Sequence, residues 1–245
     1  MAEKPILIVH PNDKTTKFLD KIKNHLIETF SDQVHHFNIY PNEQSHQTCL
    51  DRISIHPENG LVIFLGHGRT DKLYGSKGDF YGNAEFVSQE AKDENPDAYY
   101  YNDNFINESN AVVFKNKKVF CLACNSNDKI ATFSVDSGAK SFLGFGDIPT
   151  SLSEFEDKEE KVTNDLVVKM KTELNYIIKR SLSMSIERGF TFEEVLNCIQ
   201  FIANQRLSDI LVNQKNFKER QKLADYLYYL KKEAVILGER RIKLL

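Results

Sequence analysis

The sequence predicts an α/β fold with a mainly parallel β-sheet, followed by a helical C-terminal region. In the first 150 residues, apolar runs of strand length alternate with amphipathic helical segments, an order typical of parallel sheets. The strand runs are continuously apolar, which indicates burial on both faces. From Ser153 onward, apolar residues recur at helical spacing instead. We therefore expect an α/β core over residues 1–150 and a helical region over residues 151–245, packed on or beside that core.

The predicted elements of the core follow in order. PILIVHP is a strand closed by Pro11, and TTKFLDKIKNHLIETF is a helix with one apolar face, made by Phe18, Ile22, Leu26 and Phe30. QVHHFNIYP is a second strand, QTCLDRISI a short helix and LVIFLGHG a third strand. KVFCLAC is the fourth strand, a helix follows from about residue 128 to 137, and AKSFLGFGD is the fifth strand.

Residues 69–111 do not fit this alternation. They are rich in Gly, Asp, Asn and Tyr, and a structureless loop of this length is unusual in a compact domain. We expect small hairpins here, followed by a helix over NESNAVVFKN that leads into the fourth strand.

The spacing of apolar residues in the C-terminal region predicts long helices. One stripe of apolar residues at helical spacing predicts the first helix, and Gly189 ends that helix. The stripe consists of Val162, Leu166, Met170, Leu174, Ile177 and Ile178. Thr191 caps the next helix, with Glu194 completing a capping box. A last helix is expected from about Phe217 to Leu237. The segment 217–245 has a net positive charge, and its tyrosines beside lysines predict a docking face for a regulatory partner or a second copy of the chain, as well as a structural role.

Composition excludes several classes of function. The chain has 245 residues and a net charge of −3, which gives no general reason to expect a nucleic acid or an anionic membrane as partner. No apolar run approaches the roughly 20 residues that span a bilayer, and the N-terminus resembles a strand rather than a secretory leader. Four scattered cysteines do not suggest a disulfide framework. We expect a cytoplasmic protein whose thiols stay reduced.

The candidate site lies at the carboxyl ends of the predicted strands, where parallel sheets bind ligands. The residues at these ends are His10, Tyr40, His67, Cys124 and Asp147. Among them, His67 and Cys124 can form a nucleophile and base pair, because an imidazole can stabilise a thiolate or accept its proton. Gly68 allows close backbone approach, so its amide and that of Cys124 are candidate donors to an oxyanion.

Other interpretations of these residues are open. A cysteine in an apolar strand is usually a core residue, which suits Cys121, Cys49 and Cys198 better than Cys124, because four polar residues follow Cys124. CLAC also has CxxC spacing, but a redox pair normally opens a helix, and a zinc site needs a second close pair. No glycine-rich phosphate-binding motif is present, so no cofactor is expected.

LVIFLGHG and VFCLACNS resemble the paired blocks of caspase-like cysteine peptidases, in which one strand ends in His-Gly and the next ends in the nucleophile. The interval between His67 and Cys124 is close to the roughly 50 positions typical of caspases. LACNS differs from the caspase signature Gln-Ala-Cys-x-Gly and is more similar to the CHAT branch, the bacterial relatives of separase and gingipain. KLYGS after HG, the ACxS pattern and ERGFTFEEVLNCIQFIANQ extend the likeness over roughly residues 5–212.

The resemblance implies a caspase-like three-layer sandwich, with His67 as base, Cys124 as nucleophile and no cofactor. It also implies that the amides of Gly68 and Cys124 form the oxyanion hole. Asp147, in GFGDIP, is either an acidic substrate-pocket residue or an ordinary turn aspartate. The chain would then be a cysteine endopeptidase that cleaves a polypeptide in a bacterial stress or defence pathway, held inactive until a partner or signal acts. The alternatives are a catalytically silent adaptor and a small-ligand sensor on a flavodoxin-like sheet.

Overall fold

The strands form a central β-sheet and a separate two-stranded sheet. In the computed structural model, residues 4–11, 13–156 and 159–245 are described. The strands in this part of the chain are β1 (Ile6–Pro11), β2 (Val34–Ile39), β3 (Leu61–Leu65), β4 (Lys72–Leu73), β5 (Ile106–Asn107), β6 (Lys118–Leu122), β7 (Ser141–Gly144) and β8 (Val235–Gly238). The helices are α1 (Asp20–Thr29), α2 (Glu43–Ile55), α3 (Gln89–Glu94), α4 (Pro96–Tyr99), α5 (Lys129–Asp136), α6 (Leu152–Glu156), α7 (Asn164–Arg188), α8 (Phe192–Asn213) and α9 (Arg220–Glu233).

The central sheet has six strands in the order β2-β1-β3-β6-β7-β8. All neighbouring strands pair in parallel except β7 and β8, which are antiparallel. The five parallel strands follow the flavodoxin-like order, in which the chain reverses its direction of growth between β1 and β3. A crevice at the carboxyl ends of these two strands is where doubly wound sheets bind ligands.

Apolar side chains cover both faces of the sheet. One buried cluster joins alternate residues of β1, β3 and β6 to α1, α7, α8 and α9, and the other joins the intervening residues to α2 and α5. Such burial explains why the strand segments are apolar at every position rather than at alternate ones. The predicted α/β fold, with a mostly parallel sheet and a helical C-terminal region, is confirmed.

The insert between β3 and β6 contains less regular structure than the sequence predicts. The two-residue strands β4 and β5 pair antiparallel, but a 3₁₀ helix (Tyr81–Phe86), α3 and α4 lie between them, so they close a long loop rather than a tight hairpin. The helix expected over NESNAVVFKN is only a 3₁₀ turn, Ala111–Phe114. His46 of α2 anchors the insert, because its Nε2 accepts a hydrogen bond of 3.0 Å from the amide of Ser76.

The end of α7 and the start of α8 lie where the sequence predicts. Gly189 ends α7 in the left-handed conformation, with φ of 62°, and Thr191 and Glu194 form the expected capping box of α8. The apolar stripe of α7 packs in the same buried cluster as the sheet, so residues 151–245 share a core with the preceding chain. The domain boundary at residue 150 stays a prediction.

The expected last helix, Phe217 to Leu237, is wrong at both ends. The helix α9 covers only Arg220–Glu233, and Val235–Gly238 is the strand β8 at the edge of the sheet. Ile236 pairs with Leu143 of β7, and Gly238 adopts a φ of 82° that suits glycine where the strand ends. A short apolar run such as VILG fits a buried strand as well as a helix, and pairing with β7 decides the outcome.

Deletion of residues 217–245 should therefore unfold the protein. The deletion removes β8 and several buried side chains, which are Leu223, Ala224, Leu227, Leu230, Ile236 and Leu244. Burial of one large aliphatic side chain contributes about 1.5–3 kcal/mol, so the loss of five of them is comparable to the roughly 5–15 kcal/mol that stabilises a typical protein. Thermal unfolding should show no cooperative transition for the truncated chain. A control in which the exposed Tyr228 and Tyr229 become alanine should unfold normally, and a truncated chain that melts like the full chain would refute this structural role.

Candidate active site

His67 and Cys124 lie at the carboxyl ends of neighbouring strands. β3 and β6 pair in parallel with Leu65 opposite Leu122, and each candidate residue lies two positions beyond one member of this pair. Side chains alternate between the two faces of a strand, so equal offsets place both residues on the same face. Cys124 packs against the cluster on the α1–α7 face, and His67 and Cys124 line one narrow pocket. The structure thus brings the two predicted residues together.

Gly68 fits this arrangement because the side chain of a larger residue would press against the neighbouring turn. A Cβ atom at Gly68 would lie 3.1 Å from the Cβ of Ala123 and 3.2 Å from the carbonyl oxygen of Cys124. These distances are tighter than ordinary packing contacts, so the turn after β3 lies directly against the turn after β6. The backbone of Gly68 is therefore close to Cys124, as an oxyanion site requires, while its role as a donor stays a prediction.

The turn that carries Cys124 is held firmly. Asn125, the next residue, has a φ of 53°, and its amide donates a 2.8 Å hydrogen bond to the carbonyl of Gly146. The hydroxyl of Ser126 donates to the carbonyl of Cys121 at 2.9 Å and accepts from the amide of Phe145 at 3.0 Å. A non-glycine residue with positive φ is uncommon and persists where surrounding contacts fix it. These bonds give the thiol a defined position at the strand end.

The loop after β7 lies against the half-buried Cys124. The Sγ of Cys124 donates a hydrogen bond of 3.2 Å to the carbonyl of Ile148, in the loop that follows β7. The pocket shared by His67 and Cys124 has a volume of about 20 Å³, and Ile148, Thr150 and Leu174 contribute to its walls. A water molecule requires at least about 10–15 Å³ measured in this way, so the pocket has room for water but not for a polypeptide. The loop after β7 therefore narrows the space beside Cys124 in this structure.

A chain of hydrogen bonds connects His67 to Asp13. Nε2 of His67 lies 2.6 Å from Oγ1 of Thr15, and the Thr15 hydroxyl donates to Oδ1 of Asp13 at 2.5 Å. Oδ1 of Asp13 also accepts hydrogen bonds from the amides of Thr15 and Thr16, at 2.8 and 3.0 Å. The carboxylate therefore fixes the loop after β1 beside His67.

This chain determines which nitrogen of His67 carries the proton. The Thr15 hydroxyl has one hydrogen, which it donates to Asp13, so it can only accept from His67. Nε2 of His67 then holds the proton and Nδ1 has the available lone pair. A neutral imidazole in this tautomer can accept a proton at Nδ1, which is the task of a general base.

Asp147 lies next to the pocket but does not line it. Its amide donates to Oε2 of Glu233 at 3.3 Å, and the residue borders a separate, mainly apolar cavity between the loop after β7, α7 and α9. That cavity shares Ile148 and Leu174 with the Cys124 pocket. A role for Asp147 in substrate binding stays a prediction.

The other residues at strand ends have structural surroundings. His10 is buried, with Nδ1 2.7 Å from the carbonyl oxygen of Leu65 and Nε2 3.4 Å from Oδ1 of Asp20, and burial lowers its pKa. Tyr40 is exposed. Cys121 belongs to the apolar cluster on the face opposite Cys124, and burial raises the pKa of its thiol. Because the two thiols face opposite sides of the sheet, the CxxC spacing does not form a redox pair.

Sequence reasoning missed Asp13 and Thr15. Both lie in the short polar segment directly after β1, and β1 pairs with β3 in the sheet. The polar residues after Pro11 were the available signal, because the carboxyl ends of adjacent parallel strands meet at one edge.

Within the described ranges, no group of three or more His, Cys, Asp or Glu side chains is arranged to hold a metal ion.

Comparisons with known proteins identify no relative of this chain. No family model matches it, and neither a curated protein nor a solved structure does. Nor does any helix in the described ranges have the length and apolar character needed to cross a membrane.

Proposed function

We propose that this chain is a caspase-like cysteine endopeptidase of the CHAT type, with Cys124 as nucleophile and His67 as general base. The observation that carries the proposal is the common position of the two residues, each two positions beyond the paired Leu65 and Leu122 and both on one face. The hydrogen bonds of Thr15 support it further, because they favour the tautomer of the neutral imidazole in which Nδ1 is the basic nitrogen. The CHAT assignment itself rests on the sequence resemblance around these residues.

The proposed reaction has two stages. Nδ1 of His67 accepts the proton of the Cys124 thiol, and the thiolate adds to the carbonyl carbon of the scissile peptide bond. The amides of Gly68 and Cys124 donate to the resulting oxyanion, and collapse expels the amine, which takes the proton from His67. Water activated by His67 then adds to the thioester, and release of the carboxylic acid restores the thiol.

Regulation of this activity is part of the proposal. The hydrogen bond from Cys124 to Ile148 and the small volume of the pocket support a resting state that a partner or signal opens. Tyr228 and Tyr229 of α9 are exposed, and Lys231 and Lys232 each place their Nζ within 6 Å of the Tyr228 ring centroid. We propose this face as the docking site for a regulatory protein or a second copy of the chain. A cytoplasmic role in bacterial stress or defence would suit such control.

The test is cleavage of a proteome-derived peptide library by the wild-type chain, with mass spectrometry of the new termini. The proposal predicts cleaved peptides that share residues around the scissile bond. A library that stays intact in the presence of cell extract, which supplies a candidate activator, would contradict it.

A catalytically silent adaptor is the second candidate function. The observation that favours it is the Cys124 thiol, which donates to the Ile148 carbonyl in a pocket too small for a polypeptide. This candidate predicts that wild type and the Cys124→Ala variant behave identically in every cleavage assay. A partner protein that binds both equally, with no proteolysis, would support the adaptor.

Replacement of Thr15 by valine should lower the catalytic rate about tenfold. Valine keeps the size of threonine but removes the hydroxyl that orients His67. Loss of one such hydrogen bond costs about 1.5 kcal/mol, which corresponds to roughly a tenfold change in rate. Thr48→Val is the matched control, because the Thr48 hydroxyl donates to the Gln44 carbonyl within α2, away from His67. Steady-state kinetics should show a lower kcat with little change in KM. Equal kcat values for wild type and Thr15→Val would exclude a positioning role for Thr15.

A further inference from the structure

A wide groove adjoins the narrow pocket on the side of His67. The insert contributes Tyr74, Lys77 and Tyr101 to its lining, and α7 and the loop after β7 contribute Lys171, Thr150 and Ser151. The groove has a volume of about 410 Å³, compared with about 20 Å³ for the pocket at Cys124. Its size suits several side chains of an extended polypeptide, and His67 lines both cavities.

The carboxylates of the groove are engaged with the protein itself. Oδ1 of Asp13 accepts three hydrogen bonds from the loop after β1, and its Oδ2 has no hydrogen-bond partner within the described ranges but is buried out of reach of a ligand. Oε2 of Glu154 accepts the amides of Thr150 and Ser151. These acidic groups stabilise the loops of the groove, so they offer little to a ligand.

The ammonium groups of Lys77 and Lys171, in contrast to these carboxylates, are available to bind an anionic ligand. Nζ of Lys77 lies over the rings of Tyr81 and Tyr101, at 5.2 and 5.4 Å from their centroids, and Nζ of Lys171 lies 4.9 Å from the centroid of Phe18. No carboxylate within the described ranges forms an ion pair of 4.0 Å or less with either lysine. An aromatic face positions an ammonium group and leaves hydrogen-bond donors for an anion.

The groove and the pocket of Cys124 share a structural support near Lys171. Phe18, which supports the Lys171 ammonium, also lines the pocket of Cys124. The charged residues that line the groove nearly cancel. Lys14, Lys77 and Lys171 carry three formal positive charges, Asp13 and Glu154 carry two negative ones, and Lys14 is paired with Asp79 at 3.1 Å, so the net field of the groove is only weakly positive. The preference of the groove for one ligand over another therefore depends on the groups that a ligand can contact, and these are the ammonium groups of Lys77, in the insert, and Lys171, on α7.

We propose that the groove binds an acidic segment of the substrate polypeptide, with Lys77 and Lys171 contacting its carboxylates. This inference rests on the proposed peptidase function, since it places the segment beside the scissile bond at His67. It concerns residues outside the cavity of Asp147 and does not depend on a role for that residue.

Fluorescence anisotropy with the full-length Cys124→Ala variant tests this inference, because no turnover occurs. The probes are labelled ten-residue peptides of one sequence in which three positions hold either Glu or Lys. We expect the acidic peptide to bind at least tenfold more tightly than the basic one. The additional double change Lys77→Glu and Lys171→Glu should remove this preference, and Lys77→Met with Lys171→Met, which keeps the apolar stems, should weaken it strongly.

The matched control is the double change Lys129→Glu and Lys215→Glu, which alters charge equally at exposed positions outside the groove. This control should keep the acidic preference. Equal binding of both peptides, or a preference that survives the changes at Lys77 and Lys171, would overturn the inference. Its failure is distinguishable from failure of the proposed function, because binding is measured without catalysis. Acidic binding without cleavage by wild type would count against the peptidase alone, and cleavage without acidic preference would count against the groove alone.

Discussion

Replacement of Cys124 by alanine is expected to lower the rate of peptide cleavage by roughly 10⁴-fold or more. The thiolate is the attacking atom in the proposed reaction, and loss of a nucleophile in comparable peptidases has effects of this order or larger. The fold should persist, because the half-buried Cys124 lies at a strand end where alanine removes little packing. Cleavage of library peptides, with thermal unfolding of the same samples, measures both effects.

Cys121→Ser is the matched control for that experiment. Cys121 is fully buried on the opposite face of the sheet, so serine there should lower stability by about 1–3 kcal/mol and leave the chemistry in place. The opposite pattern, in which Cys121→Ser abolishes cleavage and Cys124→Ala does not, would mean that the wrong cysteine has been assigned.

Replacement of His67 by alanine should cost nearly as much as loss of the thiol. The base and the nucleophile act as a unit, so their losses are not additive, and the double variant should be no slower than Cys124→Ala alone. His35→Ala is the control, because His35 is exposed on β2, two strands away from β3. Measurement of kcat/KM for the four variants tests this. A fully active His67→Ala protein, or effects that multiply in the double variant, would exclude a shared role.

The position of the two site residues could be predicted because it depends on local patterns. LVIFLGHG and KVFCLAC each show a buried strand followed by a polar turn, and parallel pairing of these strands brings their carboxyl ends together. The capping box at Thr191 and the terminator at Gly189 are likewise encoded within a few residues. Such features need no knowledge of distant contacts.

The features that escaped prediction depend on tertiary contacts. VILG becomes β8 only because β7 offers an edge for pairing. Thr15 and His67 are 52 positions apart, and nothing in the polar segment after β1 reveals which histidine it will meet. The contact with the Cys124 thiol comes from Ile148, in a loop without periodic pattern. Lys77 and Lys171 are likewise distant in sequence and meet only across the folded groove.

The most direct test of the central claim is covalent labelling of the wild-type chain with a panel of peptidyl acyloxymethyl ketones. These reagents alkylate a cysteine that attacks a carbonyl bound in a peptidase site. Intact mass and peptide mapping should show one adduct, on Cys124, that is absent from Cys124→Ala and strongly reduced in His67→Ala. A wild-type chain whose Cys124 stays unlabelled in the presence of cell extract, or whose adduct maps to Cys49, Cys121 or Cys198, would contradict the account.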